Sequence, residues 1–297
     1  MKNSKIPVQS LLIPKRLVKL GKLLERISPF LATRFAARLF LTPFKYKRPK
    51  REEKMYSKSK KELIAVPKIN QQIKVYQYGN LQRGKKALLV HGWSGTGTQL
   101  AKIADVLVKE GYGVVSFDAP AHGEAPGKIS MMPFFIESIH QLQKQYGPFD
   151  IAIGHSLGGM SLLKAGGEDL TLRKLVIIGT ADSITEITND FAKNMQLQYS
   201  TGVRMKKYFD RKFGEDLNNY SGAVSATKVS IPTLVIHDKD DVDVSYEAAT
   251  SIHAALTNSQ LILTERLGHR KILGNPSVID AILNFIKEEE TVKVNTV

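Results

Sequence analysis

The chain has 297 residues, 42% hydrophobic and 24% charged, with no cysteine; this is a globular composition long enough to bury a substantial core, and it excludes disulfides, thiolate metal sites and a cysteine nucleophile. The formal net charge is +15, but residues 1–61 hold eighteen Lys and Arg against three acids and account for all of it. The basic excess therefore marks an appendage and is no nucleic-acid-binding signature for the balanced remainder.

In that appendage a helical wheel places Lys15, Lys19, Lys22 and Arg26 on one stripe, with Leu17, Leu20, Leu24 and Ile27 opposite. Pro29 interrupts, then Leu31, Phe35 and Leu39 recur at i, i+4, i+8 beside Arg34 and Arg38, until Pro43. Two expectations follow for this helical segment, residues 1–61. It docks on an anionic membrane surface, or it packs its apolar stripe on the body with the lysines in water. No run of about 18 uncharged apolar residues and no secretory signal pattern is present, so a cytoplasmic protein, peripheral on the inner membrane face in the first case, is expected.

From residue 62 onward strands and helices alternate. Leu63–Val66 and Ile73–Tyr76 read as a hairpin, and Ala87–Val90 as a strand buried on both faces. A helix follows with Leu100, Ile103, Ala104, Leu107 and Val108 on one face, stopped by Gly111. Further strands are expected at 114–117, 149–153, 175–178, 233–236 and 261–263, and helices at 132–146, 157–165, 246–256 and 276–287. That rhythm means a mostly parallel sheet with helices on both faces. Residues 181–229 contain no strand pattern and are too long for a connection, so they read as a small helical cap within the domain 62–297. Its Phe191, Met195, Leu197, Tyr199, Met205, Tyr208 and Phe213 are expected mainly to dock the cap on the sheet.

Reactive groups in such a sheet sit beyond the carboxyl ends of the strands. There the sequence offers His91-Gly92-Trp93, Asp118-Ala119-Pro120-Ala121-His122-Gly123, Gly154-His155-Ser156-Leu157-Gly158, a loop with Asp238, Asp240, Asp241 and Asp243, and Gly268-His269. G-x-S-x-G between a strand and a helix forces a sharp turn that exposes the serine, and Gly154 and Gly158 remove side chains that would collide with backbone. A serine nucleophile needs a base and the base an orienting carboxylate. His269, in a loop, suits the base better than His253, which lies inside a helical pattern. Spacing alone leaves all four aspartates open. His91 and His122 read as loop-fixing residues, and the side chain of His155 is expected to point away from the site.

In the order Ser156, Asp241, His269, and in G-H-S-L-G-G, H-G-W and D-A-P-A-H-G, residues 62–287 resemble the α/β-hydrolase superfamily, most nearly small bacterial hydrolases with a terminal motif like Gly268-His269-Arg270-Lys271-Ile272-Leu273. The resemblance implies a three-layer α/β-hydrolase fold and selects Asp241 as the acid. It also implies that the backbone N–H groups of Trp93 and Leu157 form the oxyanion hole, and Trp93 is expected to wall the acyl pocket. The expected activity is cleavage of a small-molecule carboxylic ester or thioester through an acyl-enzyme, with no cofactor, metal or nucleic acid. The alternatives are a catalytically silent membrane-associated protein on the same fold, or an acyltransferase or C–C hydrolase using the same three residues.

Overall fold

The computed structural model describes residues 13–82 and 84–288. Expectations for residues 1–12, the start of the basic segment, and for 289–297 lie outside the described residues. Eight strands form one sheet: β1 (Lys60–Val66), β2 (Gln71–Tyr78), β3 (Lys86–Val90), β4 (Gly113–Asp118), β5 (Ile151–His155), β6 (Lys174–Ile178), β7 (Thr233–Asp238) and β8 (Ser259–Thr264). Their order is β1-β2-β4-β3-β5-β6-β7-β8. β2 pairs antiparallel with β1 and β4, and every other pairing is parallel.

The strands that read as unbroken apolar runs are those buried on both faces, because successive side chains enter opposite layers. In β5, Ala152 packs with Ile139, Met160 and Ile252, from the helices Met132–Tyr146, Leu157–Gly166 and Glu247–Ala255. Ile151 and Ile153 pack instead with Ile103, Leu107 and Ile282, from Ala101–Lys109 and Pro276–Lys287. The fold is thus three-layered, as the alternating pattern implies.

Between β6 and β7 the described chain is helical, with Ile184–Asn194, Tyr199–Phe213 and Gly222–Ala226. The first two do not rest mainly on the sheet. Ala192, Met195, Met205 and Phe209 form a separate core with Ala36, Ala37 and Leu41 of the N-terminal segment, whose helices are Lys15–Ile27 and Pro29–Phe40. Small residues on the inner face of the second helix allow this close approach. Tyr199, expected among the docking residues, is instead 70% exposed.

The apolar stripe of the first helix also divides. Leu17 and Leu24 are half-buried, whereas Leu20 and Ile27 face outward. Gly21 explains the shift: a Cβ there would stand 3.2 Å from the Met195 side chain and 3.6 Å from Phe35, so the buried face centres on the glycine rather than on the leucines beside it. Glu25 completes the contact, its carboxylate accepting from the Gln198 N–H (3.1 Å) and the Thr201 hydroxyl (2.5 Å) at the positive N-terminal end of the cap helix. No helix among the described residues is long and apolar enough to cross a membrane.

Candidate active site

Ser156 stands where β5 gives way to the helix Leu157–Gly166, at φ 54°, ψ −120°. A side-chain-bearing residue there is strained. The turn is tight because both glycines touch backbone. A Cβ on Gly154 would lie 2.7 Å from Gly158 carbonyl atoms, and one on Gly158 would lie 2.4 Å from the Val90 oxygen. Neither neighbour is a flexible side chain that could yield. Gly158→Ala is therefore expected to cost about 1–3 kcal/mol of stability, read as a lower urea midpoint with an unchanged m-value.

His269 and Asp241 meet at the same rim, with imidazole Nδ1 2.7 Å from Asp241 Oδ2. Both residues are sequestered, His269 at 8% exposure and the Asp241 side chain at 1%. Burial alone would raise the Asp241 carboxyl, but hydrogen bonds from His237 and His269, the charge of the imidazole and the N–H of Val244 together hold it well below the usual range. The carboxylate is then only an acceptor. His269 Nδ1 must be the donor, so in the neutral imidazole the lone pair falls on Nε2, the tautomer a general base needs. Asp241 Oδ1 is filled by the N–H groups of Asp243 (2.9 Å) and Val244 (3.0 Å).

The other acids of this loop have different work. Asp238 accepts from the N–H groups of Asp240, Leu267 and Gly268 and from the Thr264 hydroxyl, so it moulds the turn that carries His269. Asp240 accepts from the Arg266 N–H at 2.8 Å. Among the described residues no cluster of three or more His, Cys, Asp or Glu is arranged to hold a metal. Gly179, which the sequence reading passed over, leaves room for the pair: at φ 61° its missing Cβ would lie 3.2 Å from His269 Nδ1 and 3.6 Å from Asp241 Oδ2. Its signal was present, a glycine at the carboxyl end of a strand facing the rim.

His155 departs from expectation. Its ring lies 4.6 Å from the His269 ring and its Nε2 2.8 Å from the His269 backbone oxygen. Ile151, Ile153 and His155 share one face of β5, and that face meets the loop after His269, where Ile272 and Leu273 are buried. Strand alternation thus turns this side chain toward the base and not away from it. His253 is half-buried and bonded to the Ser259 hydroxyl at 2.7 Å. His91 and His122 sit as loop ties: His91 Nε2 accepts from the Ala119 N–H, and His122 Nδ1 lies 3.1 Å from the Pro120 oxygen.

The loop after β3 runs beside the serine, since a Cβ on Gly92 would stand 2.9 Å from Ser156 Cβ. The N–H groups of Trp93 and Leu157 are not taken up by backbone or side-chain acceptors among the described residues. The Ser156 hydroxyl likewise forms no protein hydrogen bond among the described residues.

The basic segment grips this loop at three points that sequence reasoning did not find. The Phe44 N–H donates to Ser94 Oγ (2.9 Å), the buried Glu52 accepts from Thr96 and Thr98 (2.9 Å each), and Phe40 stacks on Trp93 with ring centroids 6.5 Å apart. No local pattern in the sequence announces contacts across forty to fifty residues.

A strained serine after one strand, and a carboxylate-held imidazole after the last two, define a hydrolase-type α/β protein. The comparisons agree. A family model described as alpha/beta hydrolase fold matches residues 88–211, and one described as TAP-like protein matches residues 218–297. Together the two models span most of the chain and, with its fold, support the α/β-hydrolase superfamily. Similar solved structures include a bromoperoxidase from Bacillus anthracis, with TM-score 0.59 and 20% identity over 77% of this chain and 100% of that one. A putative lipase from Acinetobacter baumannii AYE gives 0.60 and 19% over 81% and 97%. An esterase from Exiguobacterium antarcticum gives 0.59 and 17% over 76% and 99%. At these identities the likeness is one of fold. No curated protein sequence matches the chain.

Proposed function

We propose that the chain is a serine hydrolase that cleaves a carboxylic ester or thioester through an acyl-enzyme. In this reading His269 Nε2 takes the proton of Ser156 as its oxygen attacks the substrate carbonyl. Asp241 stabilises the imidazolium, and the N–H groups of Trp93 and Leu157 receive the negative charge that develops on the carbonyl oxygen. The alcohol or thiol leaves with the proton from His269. Water, deprotonated by the same imidazole, then releases the acid and restores the serine. Hydrogen-bond donors placed for such charge are worth about 2.7–4 kcal/mol each in the transition state, and general base catalysis a further 10²- to 10⁴-fold in rate, roughly.

The observation that carries the reading is the strained Ser156 sharing a rim with the 2.7 Å His269–Asp241 pair. Strain of this kind costs about 1–3 kcal/mol and collects at functional sites. A fluorophosphonate probe is expected to label the protein at Ser156, located by peptide mass mapping. Absence of labelling in folded protein counts against the reading.

The acyl side of the site is read from its aromatics. Phe40 lies between Trp93 and Phe191, at 6.5 and 5.2 Å between ring centroids, and Trp93 packs edge-on to His122 at 5.1 Å. We take this cluster as the wall of the acyl pocket. Phe40→Ala is then expected to shift the preferred p-nitrophenyl ester toward longer chains and to cost about 1–3 kcal/mol of stability, below the 3–5 kcal/mol of a fully buried ring. An unchanged chain-length profile would remove Phe40 from the pocket.

A further inference from the structure

The contacts that tie the N-terminal hairpin to the cap leave its opposite side uncovered. Five of the nine large hydrophobic side chains exposed among the described residues fall within residues 20–31: Leu20, Leu23, Ile27, Phe30 and Leu31. Ile27 and Phe30 are each 66% exposed and Leu23 53%. Leu20, Leu23 and Ile27, at i, i+3, i+7, form one stripe of the first helix. Phe30 and Leu31 continue the apolar surface into the first turn of the second helix, across the corner at Ser28.

Cations border this stripe. On the same helical wheel Lys15, Lys19, Lys22 and Arg26 fall on the adjoining arc, and Arg16 falls among the leucines. Among the described residues Lys15, Arg16, Lys19 and Arg26 form no ion pair with a carboxylate. The only acid of the hairpin, Glu25, is turned inward onto the cap helix. Arg34 and Arg38 add exposed charge on the second helix, and the Arg34 guanidinium lies 5.8 Å over the Phe30 ring.

We propose that this face seats the protein on an anionic lipid surface. An apolar stripe edged by lysine and arginine enters the headgroup boundary while the cations meet lipid phosphates. The charge argues against two other occupants. A second copy would set the cations of one hairpin against those of another, which opposes association. Residues 1–12 carry Lys2 and Lys5 and no acid, so they offer no counter-charge either. Phe40, which lies on Trp93, is about 15 Å along the second helix from Phe30, so a seated hairpin brings lipid near the rim. The proposal is nevertheless independent of the hydrolase reading, since its test requires no turnover.

The test is sedimentation of the full chain with vesicles of phosphatidylcholine alone or mixed with phosphatidylglycerol, at low and high salt. Anionic vesicles are expected to bind about tenfold or more tightly than neutral ones, with the difference shrinking as salt is raised. The variant Leu23→Glu, Ile27→Glu, Phe30→Glu is expected to lose that binding about tenfold or more, with its circular dichroism and thermal midpoint unchanged because the three side chains lie on the surface. Lys19→Glu with Arg26→Glu is expected to remove the preference for the anionic lipid. Failure to bind anionic vesicles at low salt overturns the proposal, as does equal binding by the triple variant. A dimer seen in light scattering without vesicle binding, or preferential capture of DNA that the triple variant retains, overturns it in favour of those partners.

Discussion

Ser156→Ala is expected to lower kcat on p-nitrophenyl esters by about 10⁴-fold or more with little change in KM, because in the proposed mechanism it deletes the atom that forms the acyl-enzyme and leaves the surrounding pocket in place. The residual rate should still exceed that of the uncatalysed ester, since the proposed oxyanion donors, the N–H groups of Trp93 and Leu157, survive. Fluorophosphonate labelling should vanish with it. A second variant separates chemistry from strain. Alanine at φ 54°, ψ −120° keeps the conformational penalty, whereas glycine adopts that region freely. Ser156→Gly is therefore expected to be more stable than Ser156→Ala by about 1 kcal/mol, with neither variant expected to turn over esters. Urea melts of the two proteins measure the difference. If Ser156→Ala turns over esters as fast as the parent, the serine is not the nucleophile. If the glycine variant is the less stable, the backbone at this turn is not strained.

That the same residue can be argued from both sides shows how far the sequence was legible. The strand positions follow from apolar runs, and the requirement for glycine at 154 and 158 from the turn alone; the 2.7 and 2.4 Å approaches to backbone are its physical content. Four aspartates, at the end of β7 and in the loop that follows it, could not be told apart by spacing. They differ in which donors reach them: Asp238 and Asp240 accept from backbone N–H groups of the loop before His269, and Asp241 reaches the imidazole. His155 was misplaced because motif reasoning ignored the parity of the strand it ends. The N-terminal segment was the least legible. Its wheel shows an apolar stripe, but the buried face is set by Gly21 and by an alanine surface on the next helix. Helix amphipathicity says that a face is apolar, not which neighbour will cover it. Nor could charge counting reveal that Glu52, one of three acids in a basic segment, is fully buried against Thr96 and Thr98 in the loop beside the serine.

Asp241→Asn is expected to lower kcat about 10⁴-fold, more than the loss of one charge near an exposed histidine would give. The carboxylate can only accept, so it fixes the proton of His269 on Nδ1 and keeps Nε2 available. An amide can present either its oxygen or its NH₂ group, and donation from NH₂ requires the opposite tautomer, with the proton on the nitrogen that should face Ser156. Neither orientation of the amide suits the site: an NH₂ toward His269 also faces His237 Nε2, a donor lying 3.4 Å from the same Asp241 oxygen and 3.1 Å from the Val244 oxygen, whereas an NH₂ on the other side faces the two fixed N–H groups of Asp243 and Val244. The same substitution has a signature in stability. The folded-state pKa of Asp241 is depressed, so between the folded and unfolded values the unfolded chain binds more protons and stability rises with pH. The carboxylate's contribution is fully present above the unfolded value of about 3.9 and is lost as pH falls through the lower folded value. The stability gap between parent and Asp241→Asn is therefore expected to be constant from neutral pH down to about pH 5 and to narrow below about pH 4. Urea melts of both proteins across that range measure it. A gap that stays constant into strong acid would mean that Asp241 is not held ionised in the folded chain, and the tautomer argument for His269 would fall with it.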